Sequence, residues 1–156
     1  MHLNSWLSTY KNIIPQSYLS SLTLEKRIKT WETNFNLLDQ NYFILVVEDK
    51  LGEIIGFADG GRNREIDNGY EGELYAIYLL EEYKGKGIGK RLFHEAVNKL
   101  KSKRLNTFMV WVLEANPAIG FYSKLGGKEF TRRDTRIANE FLTEVGIGWI
   151  NIEHIQ

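Results

Sequence analysis

Between Leu74 and Leu100 the chain changes physical character twice, and no other stretch restricts its fold as much. Leu74 to Leu80 is apolar and aromatic with a β-branched member, the composition of a buried strand. Gly85, Gly87 and Gly89 then alternate with Lys86 and Ile88. Beyond them Ile88, Leu92, Ala96 and Leu100 share one helical face, with Phe93 and Val97 beside them. A strand, a glycine loop and a helix start form a device for holding an anion. Glycine lets the backbone approach a ligand closely, and the first N–H groups of a helix lack intrahelical partners. Those donors and the positive end of the helix dipole favour a phosphate. Lys84, Lys86, Lys90 and Arg91 add four cations. The stretch predicts a loop that grips a phosphorylated ligand; a solvated surface turn is the competing reading.

Spacing excludes two familiar phosphate loops. A Walker A loop needs a glycine where Lys84 stands and a hydroxyl where Arg91 stands. A dinucleotide fingerprint counted from Gly85 puts its third glycine on Lys90, and counted from Gly87 puts it on Leu92.

A chain of 156 residues with 43% apolar side chains suits one globular domain, 1–156, with a sizeable core. Its 20 basic and 20 acidic side chains cancel, so no global field points to nucleic acid or to an anionic membrane. No apolar run reaches the length of a membrane span, and no signal-peptide pattern opens the chain. A cytoplasmic protein is expected. The absence of cysteine excludes disulfides, thiolate metal sites and a cysteine nucleophile. His2, His94 and His154 are scattered without ligand spacing and read as surface or helix residues, so no metal is expected.

In chain order, Trp6, Tyr10, Ile13 and Ile14 fall at helical spacing until Pro15. Leu24, Ile28, Trp31 and Phe35 form a second apolar stripe behind a Thr23 N-cap, and core packing is the expected role of these aromatics. Tyr42 to Val47 and Ile54 to Ala58 make a hairpin about the turn Asp49-Lys50-Leu51-Gly52. Gly60 to Tyr70 is polar and reads as a loop, and the central strand starts near Glu71. After the glycine-started helix, Thr107 to Leu113 is another inner strand. Asn116-Pro117 opens a short helix whose apolar side is Ile119, Phe121, Tyr122 and Leu125, and Gly126-Gly127 ends it. Lys128 to Arg133 and Gly146 to Ile155 read as closing strands, joined by a connection over Asp134 to Glu144. A hairpin followed by strand–helix alternation implies an α/β or α+β domain with a central mixed β-sheet.

Lys84-Gly85-Lys86-Gly87-Ile88-Gly89 resembles the acetyl-CoA loop of the GNAT superfamily of N-acetyltransferases, Gln/Arg-x-x-Gly-x-Gly/Ala. Lys84 replaces its Gln or Arg, keeping a donor while losing the guanidinium fork. Asn116-Pro117-Ala118-Ile119-Gly120-Phe121-Tyr122-Ser123-Lys124-Leu125-Gly126 resembles the second signature, which carries Asn, Phe-Tyr and Gly. The two lie in family order and cover roughly Glu71 to Gly127.

The resemblance implies a central mixed sheet flanked by helices, whose splayed fourth and fifth strands admit the pantetheine of acetyl-CoA. The matching backbone is Ile77, Tyr78 and Leu79, with an N–H near Leu79 turned to the thioester carbonyl. The pyrophosphate would lie on the N–H groups of Gly85, Lys86, Gly87, Ile88, Gly89 and Lys90, after Lys84, and Asn116 would bond the cofactor arm as well as cap its helix. Tyr122 matches the tyrosine that protonates the departing sulfur. Glu73, eleven residues before Lys84, matches the general base of some members, and burial at a strand start would raise its carboxyl toward a useful range. Glu71 is its rival, a water relay another route, and Glu114 a candidate for orienting the acceptor.

The implied activity is acetyl transfer to a primary amine by direct attack, because no cysteine is available for a thioacyl-enzyme. The acceptor is a small amine, polyamine, amino acid, or peptide or protein amine, beside a wall of mixed charge. A non-catalytic acyl-CoA-binding module is the alternative. The family's first strand is short or missing here, because Trp6 is already in helical pattern; a homodimer could cover that sheet edge.

Overall fold

The computed structural model describes residues 1–36, 41–153 and 155. Three helices come first: α1 (His2–Thr9), α2 (Gln16–Ser20) and α3 (Leu24–Asn36). Strands β1 (Tyr42–Glu48), β2 (Ile54–Arg62) and β3 (Gly72–Leu79) follow, then helix α4 (Ile88–Ser102). Strand β4 (Phe108–Leu113), helix α5 (Ala118–Lys124) and strands β5 (Lys128–Ile137) and β6 (Glu140–Trp149) complete the chain. One six-stranded sheet runs in the order β1-β2-β3-β4-β6-β5. All its neighbours are antiparallel except β3 and β4, which α4 joins as a crossover.

The two sheet faces are covered by different helices because apolar residues alternate along the strands. Leu92, Phe93, Ala96, Val97 and Leu100 bury the inner face of α4 against Ala58, Leu74, Phe108 and Val110. At about 1.5–3 kcal/mol per buried side chain, this stripe contributes on the order of 10 kcal/mol before conformational entropy is charged against it. On the other face Tyr10, Ile14 and Leu19 pack with Leu113 and Tyr78. His2, Trp6, Trp31, Phe57 and Tyr78 form a continuous group of rings there, with the Arg27 guanidinium over Trp6.

The first hairpin, the α4 pattern and the Thr23 cap agree with the sequence expectations; the Lys26 N–H donates to Thr23 Oγ1 at 3.3 Å. Among the described residues no strand precedes α1, and β1 is one edge of the sheet. Other expectations need correction. Gly60 and Gly61 lie in β2 rather than in a loop, because the backbone of Glu73 and of Asn41 approaches within 2.6 and 2.1 Å of where a Cβ would stand. Asp134 to Glu144 is the pairing core of a long β5–β6 hairpin, and β6 ends at Trp149 rather than continuing to Ile155. Leu24, Ile28 and Phe35 stay half exposed along α3, and only Trp31 of that stripe turns inward. His2 is half-buried rather than on the surface: Trp31 Nε1 donates to its Nδ1 at 3.1 Å, and burial drives its pKa down to about 4. His94 is a helix residue, as expected, and His154 lies outside the described residues.

Candidate active site

Strands β3 and β4 pair at only two positions, Gly72 with Phe108 and Glu73 with Met109, and then part. The β2–β3 register slips at the same place. Asp59 pairs with Ala76 and Gly60 with Leu74, so Tyr75 is the extra residue of a bulge that bends β3 away from β4. The parting opens a cleft of about 510 Å³ between the two strands. Ile77, Tyr78 and Leu79 form one wall and Val110, Trp111 and Val112 the other.

At the mouth of this cleft stands the start of α4. Gly85 and Gly87 have φ values of +72° and +78°, and a Cβ on either would meet no other atom within 4 Å. Glycine is therefore required by the backbone turn and not by crowding. Gly87 caps α4 with no side-chain bond, so the helix presents its first N–H groups unclaimed beside Lys84, Gly89 and Lys90. The cleft is also lined by aromatic side chains. Tyr122 is 3% exposed, and burial raises its phenol further above the usual range, so it stays protonated at any physiological pH. The Tyr10 and Tyr78 hydroxyls lie 2.9 Å apart. Asn116 Oδ1 accepts from the Ala118 N–H at 2.9 Å, so one side chain caps α5 and edges the cleft.

An apolar cleft of this size, lined by the glycine turn at the start of α4 and by a protonated phenol, is of the size of small-ligand sites. The acetyltransferase (GNAT) family model matches residues 5–127. The chain belongs to the GNAT family. Over its whole length it is 35% identical to the uncharacterized N-acetyltransferase YuaI of Bacillus subtilis strain 168, covering 87% of that protein. Among solved structures it is similar to the PaiA N-acetyltransferase of Thermoplasma acidophilum in complex with coenzyme A, at 29% identity. That match has a TM-score of 0.68 and covers 91% of this chain and 86% of the other. The fold is also that of yncA from Salmonella typhimurium with its cofactor acetyl-CoA, at 16% identity and TM-score 0.68, over 98% and 87% of the two chains.

The GNAT cleft gathers most of the residues singled out in the sequence. Ile77, Tyr78, Leu79, Lys84, Gly85, Gly87, Gly89, Lys90, Asn116 and Tyr122 all line it, whereas Lys86 and Ile88 do not. Lys86 instead sets its ammonium over the Tyr83 ring at 5.2 Å. Glu73 is the main departure. Its side chain is 2% exposed, and both oxygens are taken by the Arg64 guanidinium, with the Arg64 N–H donating at 3.2 Å as well. It lines neither this cleft nor the second cavity described below, and instead of a lone strand carboxylate it is the buried counter-ion of Arg64. Glu71, the rival base, accepts from the Asn106 N–H, and Glu114, the candidate for orienting the acceptor, pairs with Arg132.

Sequence reasoning passed over Asp59. This carboxylate sits on β2 within Ile-Ile-Gly-Phe-Ala-Asp-Gly-Gly, where a charge interrupts an apolar run; that interruption was the available signal. It is 7% exposed, and burial pushes its carboxyl up to about 6 against the opposing hydrogen bond from the Tyr42 hydroxyl at 2.6 Å. It lines a second cavity of about 400 Å³, in front of β1 and β2. Tyr75, the bulge residue, is the one described residue that borders both spaces.

Proposed function

We infer that this GNAT protein moves the acetyl group of acetyl-CoA onto a primary amine by direct attack within a ternary complex. The observation that carries this reading is the parting of β3 and β4 after two rungs, with a glycine-started helix at one end of the gap and the buried Tyr122 beside it. In this reading the N–H groups from Gly85 to Lys90 hold the pyrophosphate, with Lys84 and Lys90 adding charge, and the β3 backbone at Ile77 to Leu79 pairs with the pantetheine amides. An N–H near Leu79 polarises the thioester carbonyl. Tyr122 gives its proton to the departing sulfur, for which a phenol held protonated by burial is suited.

The amine must reach the thioester uncharged, and an ammonium with pKa near ~10 needs a proton acceptor at neutral pH. Glu73 is assigned to anchoring Arg64, because a carboxylate bound twice to a guanidinium is a poor base. The proton-accepting carboxylate is taken up below. The test is release of free thiol from acetyl-CoA over a broad panel of amines, for the wild type and for Tyr122→Phe. Release with at least one amine, falling about 100-fold or more in the variant, supports the reading. Protection against heating by acetyl-CoA, with no thiol released for any amine, supports a non-catalytic binding module instead.

A further inference from the structure

The cavity in front of β1 and β2 carries an uncompensated pair of opposite charges. Its walls are the ring pair Tyr42 and Tyr75, stacked with centroids 5.8 Å apart, and the side chains of Asn34, Asp59, Arg62 and Arg64. Arg64 is neutralised by Glu73 and lies 4.4 Å over the Tyr75 ring, which fixes it as a wall. Asp59 keeps one bond, from Tyr42, and its Oδ1 is buried without a partner among the described residues. Arg62 is exposed and forms no ion pair among the described residues. What is left facing the cavity is one negative and one positive group.

We propose that this cavity is the acceptor site and that its ligand is a small zwitterion of the α-amino-acid type, with the ammonium on Asp59 and the carboxylate on Arg62. The proposal rests on the acetyl-transfer reading and names the substrate class of that site. A polyamine would set a second cation against Arg62, and a simple carboxylate would meet Asp59; an amino acid satisfies both. A volume of about 400 Å³ suits such a molecule. Tyr75 borders this cavity and the cofactor cleft alike, so the two spaces adjoin at that residue.

Asp59 is also the proton acceptor. Its raised carboxyl is still ionised at neutral pH, yet is a stronger base than an ordinary aspartate. One ammonium proton passes to Asp59, and the freed lone pair forms the N–C bond at the thioester carbonyl. The C–S bond breaks with its electron pair on sulfur, which takes the Tyr122 proton. The second nitrogen proton returns to the Tyr122 oxygen through solvent, and Asp59 releases its proton, so each turnover yields amide, free thiol and one proton.

The experiment compares L-α-amino acids with the amines left when each loses its carboxylate, and with spermidine. Wild type, Asp59→Asn and Arg62→Ala are each assayed for thiol release and, separately, for the gain in melting temperature on adding the amine to CoA-loaded protein. The wild type should prefer at least one amino acid over its decarboxylated partner by about tenfold or more. Arg62→Ala should raise the KM of that amino acid about 10–100-fold with kcat kept, leaving the decarboxylated amine unchanged. Asp59→Asn should lose about 100-fold in kcat/KM and, with it, the acid limb of the pH profile near 6. Equal or better use of spermidine or of the decarboxylated amines overturns the proposal while leaving acetyl transfer standing. So does a wild-type response in either variant. Amino acids that bind the CoA-loaded wild type but not the variants, with no thiol released, sink acetyl transfer and leave the cavity's ligand class supported.

Discussion

Replacing Asp59 by asparagine keeps the shape of the side chain and an acceptor for the Tyr42 hydroxyl, but removes the charge. The wild-type carboxyl titrates near 3.8 in an unfolded chain and, because burial penalises the anion, at about 6 in the folded one. Between those values the folded chain holds a proton that the unfolded chain has lost, so stability falls as pH rises through the window and stays low above it. The difference corresponds to about 3 kcal/mol against the folded state at pH 7.5. Arg64, Glu73, Tyr42 and Tyr75 face the group, and the first two are bound to each other. His2 acts the other way. Its pKa near 4 lies below the ordinary 6.5, so stability drops as pH falls between them. Subtracting the variant's denaturation free energy from the wild type's cancels that shared contribution. The expected result is a variant more stable by up to about 3 kcal/mol at pH 7.5, or roughly 8 °C, and level with the wild type near pH 4. A difference that does not change between pH 4 and 7.5 would refute the reasoning, because an uncharged or well-solvated Asp59 would not produce the trend. A gain in stability accompanied by lost turnover is the mark of a group retained for chemistry.

Three other outcomes follow from the same geometry. Gly87→Ala, strained by about 1–2 kcal/mol in its left-handed turn and blocked by nothing else, should weaken acetyl-CoA binding roughly tenfold in calorimetry while the amine KM stays put. Arg64→Ala leaves Glu73 buried without its counter-ion; because the guanidinium is 62% exposed, the expected loss is about 2 kcal/mol by urea denaturation, below the range for fully buried pairs. Phe93→Ala at the centre of the α4 face, with a ring that touches Phe108, Tyr122 and Trp149, should cost about 3–5 kcal/mol in the same measurement.

The parts legible in the sequence are those where one residue type answers one local demand. Gly85 and Gly87 occupy positive-φ positions, the α4 stripe follows helical period, and Asn116 with Pro117 opens α5 as its spacing implies. The parts that escaped depend on distant neighbours. Gly60 and Gly61 resemble loop glycines, yet they sit in a strand because another backbone presses against them. Strands β5 and β6 alternate charged residues such as Arg132, Asp134 and Arg136 on a half-exposed ribbon, so their middle has the composition of a connection. The Arg64–Glu73 pair could not be seen at all, because its carboxylate and guanidinium are nine residues apart across a turn that only the fold closes. That single contact occupies both oxygens of the expected base, Glu73.

The two rungs joining β3 to β4 make the middle of the sheet its weakest line. β1, β2 and β3 are laced together on one side, and β4, β6 and β5 on the other. The sheet is thus two three-stranded panels joined at Gly72 and Glu73, whose facing edges line the cleft. An acyl donor that supplies the missing amide contacts would act as a seventh strand, closing the seam and setting the distance between the panels. Those amide protons of Ala76 to Leu79 and Val110 to Leu113 that do not bond β2 or β6 would then exchange slowly only while that guest is in place.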